Sequence, residues 1–477
     1  MSTNILNYAL DYTIITVSSD SIEEEEKMEK EKFGTKLGFI LATAGSAVGL
    51  GNIWRFPYLA AQYGGGFFLL VYIIAALTFG FSLMLTELAI GRKTGKSVAN
   101  AYTEMNKKFS FLGVFAALVP ILVTPYYCVI GGWVIKYFVT FVSGHGIDAT
   151  GNGEFFSGFI GKCASPTIYF LIFVLLTSAI VISGVQKGIE KLSKFMMPFL
   201  IALTLIIAIY TITRKGALEG VKYYLLPNFK DFSYNKLIKT IVGATGQLFY
   251  SMSIAMGILV TYGSYMRKED SIEKSARQIG FFDTAIAFLS GLIIIPAAFA
   301  FSNGDTSSNG PGLMFITLPN VFMAMPGGQV IGSLFFLLVI LAALTSSISL
   351  LETVASIISE RFNLTRVQSS LISTASIIVL GMLSVLGYSN WSAVKLFGMQ
   401  FLDFFDFITN NLIMPIVAFI TCILVGYVVK TKFIEDEVTL GGKPFKARGM
   451  YRIMVRLICP ACMILILLGS FISDLQA

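Results

Sequence analysis

Oxygen-bearing side chains placed inside apolar stretches are the residues of this chain most able to do chemistry. Asp283 lies in a hydrophobic run with Gln278 upstream and Thr284 beside it, and Thr345-Ser346-Ser347 follows Ala342-Ala343-Leu344 in another. An unpaired carboxylate at membrane depth costs several kcal/mol, so such a group is paired, protonated or bound to a cation. A hard cation such as sodium takes clustered oxygens, and a carboxylate, an amide oxygen, hydroxyls and unwound carbonyls together supply them. Glu87, Glu352 and Asp406 are also intramembrane carboxylates; structural pairing is the plainer expectation for Glu87 and Glu352. The hydroxyl run, taken alone, reads equally well as helix packing. The single histidine, His145, falls between apolar stretches, so no transition-metal site is expected and no catalytic residue is assigned. An intramembrane enzyme would need a nucleophile beside Glu87 or Glu352, and none is evident.

The elements that must hold these groups are membrane-spanning helices. The 477 residues are 55% hydrophobic and 13% charged, with a mean hydropathy of +0.76. That composition belongs to an all-α polytopic membrane protein. About eleven spans are predicted, at 36–58, 67–91, 112–142, 167–183, 192–213, 238–265, 277–303, 331–360, 367–388, 394–428 and 449–473. Most of the 35 lysines and arginines fall before the first span and in the even-numbered loops, which places the N-terminus in the cytoplasm. The net charge of +7 then reflects topology and lipid contact, with no nucleic-acid partner. Residues 1–35, with Glu23-Glu24-Glu25-Glu26, read as a flexible cytoplasmic tail and not as a signal peptide. The five cysteines suggest no disulfide framework, and Cys459-Pro460-Ala461-Cys462 inside an apolar helix reads as coincidence.

Two of the predicted spans are interrupted. The first carries Gly45-Ser46-Ala47-Val48-Gly49-Leu50-Gly51-Asn52 at mid-depth, followed by Arg55. Backbone that leaves the helix there must line a protein-buried or water-filled cavity. The sixth carries small and polar residues from Gly246 to Gly257. Breaks at matching positions of two halves point to a binding site of the inverted-repeat kind. Spans 1–5 (36–213) and 6–10 (238–428) then form two five-helix repeats of opposite topology within one domain, 36–473, with the eleventh helix (449–473) peripheral.

From about Lys30 onward the chain resembles the neurotransmitter:sodium symporters, in their prokaryotic amino-acid-transporting branch. Gly49-Leu50-Gly51-Asn52-Ile53-Trp54-Arg55-Phe56-Pro57, Gly64-Gly65-Gly66 and Leu344-Thr345-Ser346-Ser347 carry the resemblance. It implies a sodium-coupled symporter working by alternating access, with spans 1, 2, 6 and 7 rocking against spans 3, 4, 8 and 9. A proton-coupled amino-acid carrier of the same fold is the alternative. Two sodium sites are implied, one from Ala47, Asn52, Ser251 and Asp283 with the substrate carboxylate, the other from Gly45, Val48, Ala342, Thr345 and Ser346. The implied substrate pocket comprises Ser46, Ala47, Leu50, Gly51, Val123, Tyr127, Tyr250, Ser251, Ser253, Ala255, Met256, Ser346 and Leu350.

The same resemblance implies gates. Arg55 with Asp406 closes the outside above Tyr250, with Asp403 as the alternative carboxylate. Lys30 with Glu360 closes the inside, where the family usually has arginine for Lys30 and tryptophan for Phe33; Lys32 could share that role. Chloride-dependent members use positions matching Tyr72, Gln247, Ser251 and a serine at Ala287. With Asp283 supplying a fixed carboxylate instead, chloride independence is expected. Gly49 stands where amine transporters carry an acid, so the implied substrate is a neutral L-amino acid. The largely apolar lining with Met256 and the extra hydroxyls of Ser46 and Tyr250 favour a hydrophobic or aromatic one, tyrosine first. The expected setting is a bacterial cytoplasmic membrane, as a monomer or weak homodimer.

Overall fold

The computed structural model describes residues 31–150, 154–229, 233–301 and 312–474, with the side chains of 470–474 left aside. Among these residues nine helices are long and apolar enough to cross a membrane: Gly66–Thr94, Lys107–Val142, Ala164–Ile182, Val185–Ile212, Ile272–Phe301, Gly328–Phe362, Arg366–Tyr388, Phe401–Val428 and Arg448–Gly469. A tenth span is the pair Lys36–Ala47 and Gly51–Gln62, bent by 55° at the intervening residues. An eleventh is Tyr234–Ser251 with Ile258–Ser264, separated by six residues outside the helical pattern. The described residues therefore form an all-α polytopic bundle of about eleven spans, with its two interruptions in the first and the sixth.

Local chemistry explains where several spans start and stop. Thr35 caps the first, its Oγ1 accepting from Gly38 N at 3.0 Å while donating to Glu190 at 2.6 Å. Gly38 has no side chain because the Glu190 carboxylate occupies the place of a Cβ. The eighth span ends on Asn363 in the left-handed conformation (φ 51°), and the ninth opens with a capping box between Thr365 and Gln368.

Small residues let spans approach closely where the binding region must be held. A Cβ on Gly91 of the second span would strike the Val260 carbonyl, and one on Gly263 would come within 2.5 Å of the Leu88 carbonyl. The second span and the latter half of the sixth are thus packed backbone to backbone.

Some boundaries differ from the sequence reading. The tenth span begins at Phe401, not 394, because residues 391–400 form tight turns with Phe397 and Gly398 at positive φ. The fifth begins at Val185, immediately after Gly184 (φ 97°). Short helices also occupy the connections, at Gly146–Thr150, Glu154–Ile160, Ala217–Leu225, Leu318–Ala324 and Lys432–Val438. Lysine and arginine concentrate at one end of the bundle, the basic end, formed by the start of the first span and the even-numbered connections.

Candidate binding site at the two helix breaks

In the first span the chain leaves the helix at Val48 (φ −79°, ψ 93°) and re-enters it at Gly51. The amide of Asn52 ties the gap together, Oδ1 accepting from Gly49 N at 3.1 Å. Gly51 O accepts from Gln247 Nε2 of the sixth span at 2.9 Å. In the sixth span, Ser253 (φ 54°), Ala255 (φ 60°) and Gly257 (φ 75°) alternate in the left-handed region. Two of the three are not glycine, so this segment is strained and is held by its surroundings. Part of the hold is Glu87 of the second span, whose Oε1 accepts from Ala255 N at 2.7 Å. The structural partner expected for Glu87 is thus a backbone amide, and its second oxygen has no partner among the described residues. Glu352 is paired as expected, with Arg366 at 2.7 Å and Tyr265 at 2.8 Å.

Two groups of oxygens converge between the breaks. Asp283, fully buried, receives Asn52 Nδ2 on Oδ1 at 2.7 Å, while Tyr72 Oη and Ser251 Oγ each lie 3.4 Å from Oδ2. Among the described residues no Lys, Arg or His is ion-paired with it. A buried carboxylate with only neutral donors retains an uncompensated charge, and a monovalent cation would balance it. The second group is built on Ser346. Its Oγ donates to Ser46 O at 2.9 Å and stands 3.5 Å from both Gly45 O and Val48 O. Thr345 Oγ1 is 3.0 Å from Ala342 O on the same helix. Hydroxyls and freed carbonyls with no nitrogen ligand suit a hard cation.

A pocket lies beside both groups. Of the residues expected in its wall, Ser46, Ala47, Leu50, Gly51, Val123, Tyr127, Tyr250, Ser253, Met256, Ser346 and Leu350 line it. Ser251 and Ala255 do not. Gly49, Asn52 and Ile258 do, and were not assigned to the wall from sequence. Leu50 N donates to Tyr127 Oη at 3.3 Å, and Ser46 and Ser253 hydroxyls lie 3.2 Å apart. A Cβ at Gly49 would come within 2.6 Å of Ser346 Oγ and 2.9 Å of Tyr127 Oη, so these hydroxyls would have to shift to admit a side chain there.

The gate residues that the structure describes are placed as follows. The Arg55 guanidinium sits over the Tyr250 ring, 5.7 Å from its centroid, and makes no ion pair with Asp406 among the described residues. Asp406 instead accepts from Asn410 at 2.6 Å, and Asp403 accepts from Tyr388 at 3.0 Å. At the basic end Glu360 accepts from Ser97 N at 2.5 Å and Asn100 at 2.8 Å. Lys30, its expected partner, lies outside the described residues. Phe33 is buried against Phe39, Tyr262 and Tyr265, and its amide donates to Tyr265 O at 3.1 Å.

Two interrupted spans framing a pocket in an eleven-span bundle define a membrane transporter of the five-plus-five inverted-repeat type, not an enzyme. The model of the family described as the Sodium:neurotransmitter symporter family matches residues 30–146 and 157–476, and the chain belongs to that family. It is 34% identical over 448 residues to the uncharacterized sodium-dependent transporter YhdH of Bacillus subtilis, covering 92% of this chain and 97% of that one. A sodium-dependent transporter of Haemophilus influenzae is 32% identical, covering 84% and 90%. Among solved structures, MhsT in complex with L-phenylalanine superposes with a TM-score of 0.83 at 33% identity, covering 93% of this chain and all of that one.

Proposed function

We propose that this protein is a sodium-coupled symporter that imports a neutral hydrophobic or aromatic amino acid by alternating access, independently of chloride. The observation that carries the reading is Asp283: a buried carboxylate with no ion pair among the described residues, bonded to both broken spans and adjoining the pocket. Sodium at this site, with Asn52, Ser251 and the Ala47 carbonyl, would share the substrate's carboxylate as a ligand. Ion and substrate binding then reinforce each other reciprocally. A second sodium would use Gly45, Val48, Ala342, Thr345 and Ser346.

The substrate carboxylate would meet Tyr127 Oη and the positive end of the helix that restarts at Gly51. Gly49 leaves the pocket no acid to hold an amine, so the substrate brings its own carboxylate. Val123, Met256, Ile258 and Leu350 would face an apolar side chain, and the Ser46–Ser253 pair offers a hydroxyl partner to a phenol; tyrosine is the first candidate. The complex of MhsT with L-phenylalanine supports an aromatic substrate. Ala287 gives no hydroxyl for a chloride, and Asp283 supplies the fixed negative charge. Tyr250, carrying Arg55, would form the outer lid with Asp406 or Asp403 below full closure, and Glu360 with Lys30 the inner one. The N-terminus would face the cytoplasm of a bacterial cell, with the chain a monomer or weak homodimer.

Uptake by proteoliposomes tests this directly. Labelled tyrosine, phenylalanine, tryptophan, leucine and methionine should accumulate under an inward sodium gradient in chloride-free buffer. Accumulation driven by a proton gradient alone would replace this reading with the proton-coupled one. Accumulation only with chloride present would remove the role given to Asp283.

A further inference from the structure

The eleventh span carries a feature that the transport reading does not use. Arg448, Arg452 and Arg456 recur every four residues along it, so they share one face, and all three are exposed. Arg448 and Arg452 both bond the same buried carboxylate, Glu435, at 2.8 and 2.7 Å, yet each keeps almost half its side chain accessible. Arg456, one turn further into the span, has no carboxylate within ion-pair distance among the described residues; its Nε donates to Gly426 O at 3.2 Å. The remaining acids of the adjoining helix do not compensate it. Glu437 is turned to Arg92, and Asp436 is exposed on that helix. The stripe therefore holds three guanidinium charges against one carboxylate.

What lies beneath the stripe decides its ligand. Tyr427, Ile453 and Leu457 are each more than half exposed, and Ile458, Ile464, Leu465 and Leu468 continue the apolar surface along the span. Only 33% of this span's apolar window is buried inside the fold, the least of the nine unbroken spans. A basic stripe that passes directly into outward-facing aliphatic surface matches a molecule with an anionic head and a hydrocarbon body. Guanidinium forks bind phosphate oxygens bidentately, and basic sites at a helix–membrane boundary recognise anionic lipid headgroups. We propose that Arg448, Arg452 and Arg456 form a docking site for the phosphate of an anionic phospholipid in the leaflet at the basic end, with Tyr427 and Leu457 beside its acyl chains.

The test uses the purified full chain in neutral detergent, with the thermal midpoint followed while dioleoyl phosphatidylglycerol, dioleoyl phosphatidylcholine or inorganic phosphate is added. Phosphatidylglycerol should raise the midpoint saturably, and the other two should not. Arg456→Gln should need about fivefold more phosphatidylglycerol for the half-maximal shift, the loss expected of one arginine at an anionic surface. Arg456→Lys should fall between the two. Native mass spectrometry of the same samples should show fewer retained phosphatidylglycerol adducts on the Gln variant, whatever its own midpoint. An unchanged dose response in Arg456→Gln, or equal shifts from phosphatidylcholine, would overturn the proposal. An equal shift from inorganic phosphate would overturn it in favour of a soluble anion. None of these readouts depends on uptake, so failure of the transport reading leaves the test intact.

Discussion

Replacing Asp283 by asparagine isolates the charge at the proposed first sodium site. The substitution keeps the shape and one oxygen, and leaves Tyr72 and Ser251 in place to bond the new amide. A sodium ion about 4 Å from the carboxylate gains about 4 kcal/mol at an effective dielectric of about 20. Contacts to a charged oxygen are about twice as strong as those to a neutral one. The asparagine oxygen should therefore retain about half of that attraction, and the loss is about 2 kcal/mol, or roughly 30-fold in affinity. Half-saturating sodium for amino-acid uptake by proteoliposomes in chloride-free buffer should rise by about that factor. Added chloride should then stimulate the variant but not the parent, because the fixed negative charge is gone. If half-saturating sodium stays within about twofold of the parent in a variant with an unchanged thermal midpoint, Asp283 does not hold the ion and the argument from its unpaired charge fails.

Gly51→Ala should abolish uptake, since its methyl would run into the Tyr250 ring in the pocket wall, whereas Gly246→Ala, with open space around it, should leave uptake intact and favour the helix by roughly 0.5–1 kcal/mol. Arg92→Ala should lower the thermal midpoint markedly: the guanidinium bonds Glu437 Oε1 at 2.7 Å, Glu437 O at 2.6 Å and Asp270 O at 2.6 Å, and stranding one partner of such a buried pair costs about 3–5 kcal/mol. A midpoint equal to the parent would show that the Glu437 side chain finds water or another cation. Hydrogen bonding from Arg452 holds the Glu435 carboxyl below its ordinary value of 4.5, against burial that pushes it up. Its contribution to stability is thus complete above that value and is lost as the pH falls through the lowered one. Glu435→Gln should flatten the acid limb of the midpoint-against-pH curve below about pH 4.5, and an identical curve would contradict the assignment.

The break in the first span was legible because three glycines and an asparagine at mid-depth have no place in an unbroken lipid-facing helix. The break in the sixth was legible only as a region. Gly246, the residue that suggested its start, lies inside a regular helix, and the chain departs six residues later at Met252. The left-handed conformations of Ser253 and Ala255 have no local signal, because serine and alanine ordinarily avoid that region. They persist through a tertiary contact, Glu87 to the Ala255 amide, which no reading of residue types along one span reveals. The Arg55–Asp406 gate, with Asp403 as the alternative, came from the resemblance alone, because residue types along the chain do not fix the distance between two spans. The Tyr250 ring, inserted under Arg55, is what the structure places there. Asp283 was singled out by type and position together, since carboxylates are rare in such surroundings.

The clasp formed by Arg92, Asp270 and Glu437 bears on how motion in this molecule could be seen. Lys443 Nζ adds to it, donating to Lys268 O at 2.6 Å and Asp270 O at 3.2 Å, and Glu273 accepts from Lys446 N at 2.9 Å. The segment between the tenth and eleventh spans is thereby riveted to the second span and to the start of the seventh. Asp436, exposed on that segment, offers a cysteine-substitution site for a fluorophore or spin label that touches neither the pocket nor the proposed ion sites. A label there would travel with spans 2 and 7, while one on exposed Arg361 at the end of the eighth span would stay with the scaffold. The separation of the two labels then becomes a ruler for the proposed rocking of the bundle, readable one molecule at a time.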